Sequence, residues 1–460
     1  MRFRSIIVLI VFLQLSNTLA FCKSQLVGTW IGVDTFDHRT DTYTFQIKEK
    51  KDGSFTGFIE TKMDGAMLPR MTITKIKYNH PDFSCVIKSG DLVITYSAKM
   101  SDDYNRLVGY FEYSDPEILK KELILRRQIN DEFSLSEYHY KKPTSTTFPV
   151  ASIGEVKLHE RIINDLLQST TNGEFGEINS LIIIKDNKLV VEEYFNGFSS
   201  NQLHQLQSCT KSITSLLIGI AIDKGYINSV EDKVLSFYKN YDFAEGWENV
   251  TIRDLLTMSS GVQWINEDQN SLWDKDEKIS SLLLHPITGN TGVDFNYNSV
   301  MQVLAGILEY STGMKLEEFA QLNLFQPLEI KDYAWQLSKV DSIPLCTGSL
   351  KLRPIDMAKF GLLVLNNGIF HNIRVLSEKW INESTKVQIE VPNNRGHDYG
   401  YLWWVKTRSP RYIYAHGLGS QFIFIVPELE LVMVTTGNNF YNNQDLSPFK
   451  MIEKYILKNN

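Results

Sequence analysis

Residues 206–221 read Leu206-Gln207-Ser208-Cys209-Thr210-Lys211-Ser212-Ile213-Thr214-Ser215-Leu216-Leu217-Ile218-Gly219-Ile220-Ala221. Ser208 and Lys211 stand one turn apart at the mouth of an apolar run, so a helix starting here puts amine and hydroxyl on one face. A serine hydroxyl is a poor nucleophile until a neighbouring base takes its proton. Lysine can be that base only if burial or nearby positive charge keeps it neutral. A helix start also offers free N–H groups and a dipole that favour negative charge, including an oxyanion. The pattern therefore points to covalent acyl transfer. The plainer reading is a capping serine and a lysine turned to solvent. The same spacing recurs at Ser447-Pro448-Phe449-Lys450 with nothing around it that supports catalysis, so the surroundings must decide.

A chain of 460 residues exceeds one ordinary core, and two or three domains are expected. With 43% hydrophobic and 22% charged residues it has the composition of a soluble globular protein, and a net charge of −7 gives no sign of nucleic-acid binding. Arg2 and Arg4 precede an apolar run from Ile6 to Leu13, and Thr18-Leu19-Ala20 supplies small residues for cleavage. Residues 1–20 thus read as a secretory signal peptide, too short to span a membrane. Phe21 stands where a lipoprotein signal wants Gly, Ala or Ser, so export to periplasm or medium is expected rather than lipid anchoring through Cys22. No later stretch reads as a transmembrane span. Four cysteines do not make a disulfide scaffold at this length. Cys22 and Cys85 can pair in an oxidising compartment or stay apart, whereas Cys209 and Cys346 read as buried small hydrophobes. There is no HExxH, paired CxxC or close histidine pair, so no metal site is expected.

Residues 24–128 read as all-β. Strand-like runs fall at Tyr43–Lys48, Ser54–Thr61, Met71–Lys77, Leu92–Ser97, Leu107–Tyr113 and Glu122–Arg126, with turns at Asp52-Gly53 and Ser89-Gly90-Asp91. Gly28-Thr29-Trp30 opens this segment in a manner that resembles lipocalin-like barrels. Such a barrel holds an apolar ligand or is filled by its own side chains. Residues 129–155, with Lys141-Lys142-Pro143, a Ser/Thr run and Pro149, read as a linker. From residue 156 to 460, helical periodicity at Leu158–Gln168 and a hairpin around Asp186-Asn187 precede the Ser208 helix, which should stop at Gly225. Thr251-Ile252-Arg253-Asp254 and Ser299-Val300-Met301-Gln302 read as helix N-terminal caps. Strands return at Tyr412–Ala415, Gln421–Val426 and Leu431–Thr435, followed by a helix from about Pro448 to Leu457. Strands at both ends and helices between them predict one sheet with an inserted helical subdomain, and a cleft where the two meet.

The Ser208 stretch resembles the nucleophile motif of the class C β-lactamase-like serine hydrolases, a family of β-lactamases, penicillin-binding proteins, esterases, D-aminopeptidases and 6-aminohexanoate-dimer hydrolases. Further matches follow in order: Leu255 to Val262, Phe295-Asn296-Tyr297-Asn298-Ser299, Arg353 to Gly361, Tyr399 to Trp404, and Ala415-His416-Gly417-Leu418-Gly419-Ser420-Gln421. The resemblance covers about residues 156–460. It implies an α/β (α+β) β-lactamase/transpeptidase-like fold, with an antiparallel sheet flanked by helices and a mostly helical subdomain, behind the small β-barrel-like domain. It implies Ser208 as nucleophile, Lys211 as base, and Tyr297 in proton transfer. The oxyanion hole would take the N–H of Ser208 and one near Gly417, with Leu418 the choice, and His416 would sit at the substrate. Ser299 replaces an asparagine of the β-lactamases and His416 a lysine, and a largely neutral histidine is a weaker carboxylate anchor. Trp264, Trp403 and Trp404 can line an acyl pocket or sit in the core.

The resemblance implies a serine hydrolase cleaving a small ester or amide through an acyl-enzyme without cofactor; the signal pattern adds export, and charge and motifs give no sign of a nucleic-acid partner or metal. Two alternatives stand beside it: a β-lactamase or D,D-peptidase, and a non-catalytic ligand-binding or sensor protein working through its barrel. Acyl and leaving-group specificity and oligomeric state stay open.

Overall fold

The computed structural model describes residues 26–36, 39–50, 52–63, 66–67, 70–89, 92–101, 106–114, 121–128, 140–144, 147–171, 173–196, 198–263, 279–338, 341–392, 394, 396–440 and 444–459. The chain divides into two compact units, Met1–Ser136 and Glu137–Asn460. The signal segment, Cys22 and Trp264 lie outside the described residues.

In the first unit the strands are β1 (Gly28–Phe36), β2 (Arg39–Glu49), β3 (Phe55–Met63), β4 (Ala66–Met67), β5 (Met71–Asn79), β6 (Asp82–Ser89), β7 (Leu92–Met100), β8 (Arg106–Tyr113) and β9 (Lys121–Gln128). Their order is β2-β1-β9-β8-β7-β6-β5-β3-β4, and β2 also pairs with β3. The sheet therefore closes on itself, with β4 as a short addition, and closure removes the unpaired edges of an open sheet. Alternation sets the two faces. In β8, Leu107 and Phe111 point inward while Val108 and Tyr110 stay exposed. Trp30, Phe45, Ile59, Phe83, Tyr96 and Leu125 fill the interior, and the Tyr96 hydroxyl donates to the Leu107 and Leu123 carbonyls at 2.9 and 2.8 Å. Of the two expected states of the barrel, the side-chain-filled one is observed. β6 escapes a sequence reading because its inward row, Phe83-Cys85-Ile87, is interleaved with Ser84 and Val86 rather than with clear polar partners.

The second unit is built on β10 (Ile178–Lys185), β11 (Lys188–Tyr194), β12 (His397–Tyr399), β13 (Trp404–Lys406), β14 (Tyr412–Gly417), β15 (Gln421–Val426) and β16 (Leu431–Gly437). They form an antiparallel sheet of order β11-β10-β16-β15-β14-β13-β12, so both ends of the domain supply one sheet, as expected. Asp186 and Asn187 both take positive φ, the geometry a two-residue hairpin demands. The central strands are largely apolar because both faces are covered. Ile182, Ile184, Ile423, Ile425, Val432 and Val434 face one core. Leu181, Ile183, Phe422, Phe424, Leu431 and Met433 face the other.

The first core takes α2 (Cys209–Asp223), α4 (Val303–Thr312) and α5 (Pro354–Leu365). The second takes α1 (Glu160–Thr171) and the C-terminal α6 (Ser447–Met451) with its continuation Ile452–Ile456. Gly361 lets α5 approach the sheet: a Cβ there would lie 2.5 Å from Val432 Cγ1 and 3.1 Å from Ile423 Cγ2. Among the described residues, no helix is long and apolar enough to cross a membrane.

Two expectations differ from the fold. The segment around 140–151, read as linker, packs on the edge strand β11. Tyr140 donates to the Val190 carbonyl at 2.7 Å, and Leu189 N–H and C=O pair with Pro149 and Ala151. An exposed sheet edge needs such a cover, and the Pro-rich composition conceals it. Thr251 caps α3 (Ile252–Leu256) with a full capping box, but the Ser299 side chain makes no cap bond. Asn298 does that work one residue earlier, accepting from Val300 N at 3.0 Å and donating to the Asn296 carbonyl.

Candidate active site

Ser208 sits directly before α2 in helical geometry (φ −64°, ψ −8°), and its side chain makes no cap hydrogen bond. The plainer reading of the serine is thereby set aside. Gln207 ahead of it is held at φ +49°, a left-handed conformation that costs energy for a residue with a Cβ. Beyond that turn the Ser208 hydroxyl meets Lys211 and Tyr297 instead of the helix N–H groups.

Lys211 is 2% exposed. Its Nζ donates to Ser208 Oγ at 2.9 Å and to the Thr347 carbonyl oxygen at 2.6 Å, and lies 5.1 Å from the centre of the Tyr297 ring. Burial pulls the amine down to about 7, against a small opposing effect of Cys209. Among the described groups no carboxylate counters this shift, so a substantial neutral fraction exists at neutral pH. Tyr297 is hydrogen-bonded to Ser208 as well. Burial outweighs that bond and holds its phenol well above the usual range, so it stays protonated. Its ring stacks on Trp404 (5.8 Å, 25°) and meets Tyr399 edge-on, which fixes the hydroxyl in place.

The turn between β14 and β15 closes the opposite wall. A Cβ on Gly417 would overlap the Leu206 carbonyl oxygen and lie 3.1 Å from Ser208 N, so the glycine lets the strand end rest on the Ser208 segment. Among the described residues, neither the Ser208 N–H nor the Leu418 N–H has a backbone acceptor in the turns and loops. The N–H groups of Gly419 and Ser420, by contrast, both donate to Asp445 Oδ1, at 2.6 and 2.8 Å. His416 contacts Asp445 Oδ2 through Nε2 at 3.1 Å and stacks on Phe422. The Cys209 thiol points at the Gln421 carbonyl, and burial raises it far above the reactive range.

The structure thus brings together Ser208, Lys211, Tyr297 and Gly417, with Leu418 next in the chain after Gly417, while His416 is engaged with an acid. Ser299 is buried and away from any cap role. Trp403 is core, and Trp404 backs Tyr297. Ser447 donates to the Phe175 carbonyl at 2.8 Å and Lys450 lies over the Phe175 ring, so the second Ser-x-x-Lys is packing. Two contributors escape a sequence reading. Thr347 acts through its carbonyl, which any residue carries, and Asp445 gives no signal beyond an acid ahead of Ser447-Pro448. Among the described residues no cluster of His, Cys, Asp and Glu converges as a metal-ligand set.

Residues 179–448 match the sequence family described as Beta-lactamase. The chain is 21% identical over 320 residues to 6-aminohexanoate-dimer hydrolase of Paenarthrobacter ureafaciens, covering 64% of this chain and 79% of that one. Among solved structures, a family VIII carboxylesterase superposes with a TM-score of 0.52 at 15% identity, over 64% of this chain and 97% of the other. A D-stereospecific amidohydrolase from Streptomyces superposes with a TM-score of 0.50 at 15% identity, over 61% and 96%. The structural likenesses speak for the fold, and the sequence match speaks for the lineage. The chain is a serine hydrolase that belongs to the β-lactamase family.

Proposed function

We propose that the protein is an exported hydrolase that cleaves small esters or amides through an acyl-enzyme on Ser208. The observation that carries this reading is the Lys211–Ser208 contact of 2.9 Å, made by an amine that burial brings down to about 7. Ser208 Oγ attacks the carbonyl carbon as its proton passes to Lys211 Nζ. The oxyanion is held by the N–H groups of Ser208 and Leu418. As the tetrahedral intermediate collapses, the proton returns to the leaving amine or alcohol through Tyr297. Water then attacks the acyl carbon, loses its proton to the same relay, and releases the acid and Ser208. No cofactor enters the cycle.

Relatives and neighbours named as a 6-aminohexanoate-dimer hydrolase, a carboxylesterase and an amidohydrolase support ester and amide substrates. The engagement of His416 with Asp445 weighs against a β-lactam or D,D-peptide substrate, because the histidine that would meet the substrate carboxylate already serves an acid. Export rests on the N-terminal signal pattern. A fluorophosphonate probe applied to the wild type and to Ser208→Ala tests the reading: labelling of the wild type alone is expected, and equal labelling of both overturns it.

A further inference from the structure

Asp445 lies outside every motif of the sequence, yet it ties three parts of the oxyanion wall together. One carboxylate oxygen accepts from both Gly419 N and Ser420 N, and the other meets His416 Nε2. Burial alone would raise this carboxyl. The hydrogen bond and charge of His416 and the two N–H donors outweigh it and keep the group below its usual range, so it is ionised at neutral pH. Ser420 is held at φ +72° and Gly419 at +87°, a turn that does not hold its shape by backbone preference alone. Its other fastenings come from the same neighbourhood: Ser420 Oγ donates to the Asp445 carbonyl at 2.9 Å, and Gln421 Nε2 donates to the Gly419 and Gly437 carbonyls at 3.0 and 2.6 Å. The one N–H of the turn that Asp445 leaves alone is that of Leu418, and the Leu418 side chain is half exposed.

We infer that Asp445 is a positioning residue: by consuming the Gly419 and Ser420 N–H groups and clamping His416, it fixes the turn so that the Leu418 N–H alone is presented toward the carbonyl held at Ser208. The inference rests on the acyl-enzyme reading above. It deepens that reading by assigning the oxyanion wall a support 25 to 29 residues downstream of the turn. A carboxylate does this better than a neutral acceptor because hydrogen bonds to an ionised oxygen are about twice as strong as neutral ones. Preorganisation of donors around the developing charge is where such sites gain most of their rate, and a displacement of about 1 Å typically costs about a hundredfold.

The test uses the full chain with a p-nitrophenyl ester, comparing wild type, Asp445→Ala, Asp445→Asn and Ser208→Ala. Asp445→Ala is expected to lower kcat about a hundredfold with KM changed less than about threefold. Asp445→Asn keeps an oxygen for the two N–H donors and should recover at least about tenfold of that loss. Phenylboronic acid, which forms a tetrahedral adduct on the serine, should lose affinity in proportion to kcat across the series. If Asp445→Ala does not fold, the asparagine variant alone decides. A drop in kcat with matching loss of boronate affinity supports the inference, and unchanged values of both overturn it. Ser208-dependent turnover with an indifferent Asp445 sinks the positioning role alone, whereas turnover that survives in Ser208→Ala sinks the acyl-enzyme reading beneath it.

Discussion

Lys211 Nζ is bonded to the carbonyl oxygen of Thr347 at 2.6 Å, an acceptor without formal charge. The amine is thereby aimed without being locked in its protonated form, and burial brings it down to about 7. As base it works only when neutral, so kcat/KM for an ester should rise through pH ~7 and level off above it, with Lys211→Arg inactive across the range. A pH–rate profile without an inflection near 7 contradicts this assignment.

The same burial makes a stability prediction. Unfolded, the lysine holds its proton up to about pH 10.5, and folded only to about 7. Between those values the unfolded chain binds more protons, so this group's contribution to stability rises with pH and its cost is greatest below pH 7. That pH-linked cost is about 5 kcal/mol. Lys211→Met should therefore be inactive but gain stability relative to wild type as the pH is lowered from 9 to 6. The advantage should shrink as pH rises, which denaturant melts at pH 6 and pH 9 would reveal.

Tyr297 keeps its proton because its phenol is raised by burial. Tyr297→Phe retains the stack on Trp404 and should fold normally. It should lose about a hundredfold or more in kcat on an amide, whose leaving amine needs a proton. The loss should be clearly smaller on a p-nitrophenyl ester, whose leaving group departs as an anion. Equal losses on both substrates would remove Tyr297 from leaving-group protonation.

Gly417→Ala forces a methyl group onto the Leu206 carbonyl and the Ser208 nitrogen. The strand end must retreat, with an expected cost of about 1–3 kcal/mol in stability and about a hundredfold in kcat. Lys450→Ala, at the second Ser-x-x-Lys, removes a contact with the Phe175 ring and should leave kcat within about twofold. Parallel kinetics and thermal melts check both.

The sequence carries most clearly what periodicity and local bonding encode. The Asp186-Asn187 hairpin, the Thr251 capping box and the sheet assembled from both ends were all legible, because each is written within a few residues or in an alternating row. The Ser208–Lys211 contact was legible because helix geometry alone brings the pair together. What stayed hidden acts at long range or through groups every residue has. Thr347 contributes a carbonyl from 136 residues away, and Asp445 reaches back across a hairpin to the strand turn. The side-chain cap expected at Ser299 is not formed: Asn298 accepts from Val300 N, and Gln302 N donates to the Ser299 backbone carbonyl.

The sheet order has a consequence for synthesis. β10 and β11 emerge early, but β10 waits for β16, its partner near the other end of the chain, before it has a second neighbour. Ser208 likewise leaves the ribosome more than two hundred residues ahead of the turn and the acid that complete its surroundings. A nascent chain therefore carries Ser208 before the turn at residues 417–420 and Asp445 have been made. On the acyl-enzyme proposal, chains released before Asp445 is made should therefore carry no Ser208-dependent turnover.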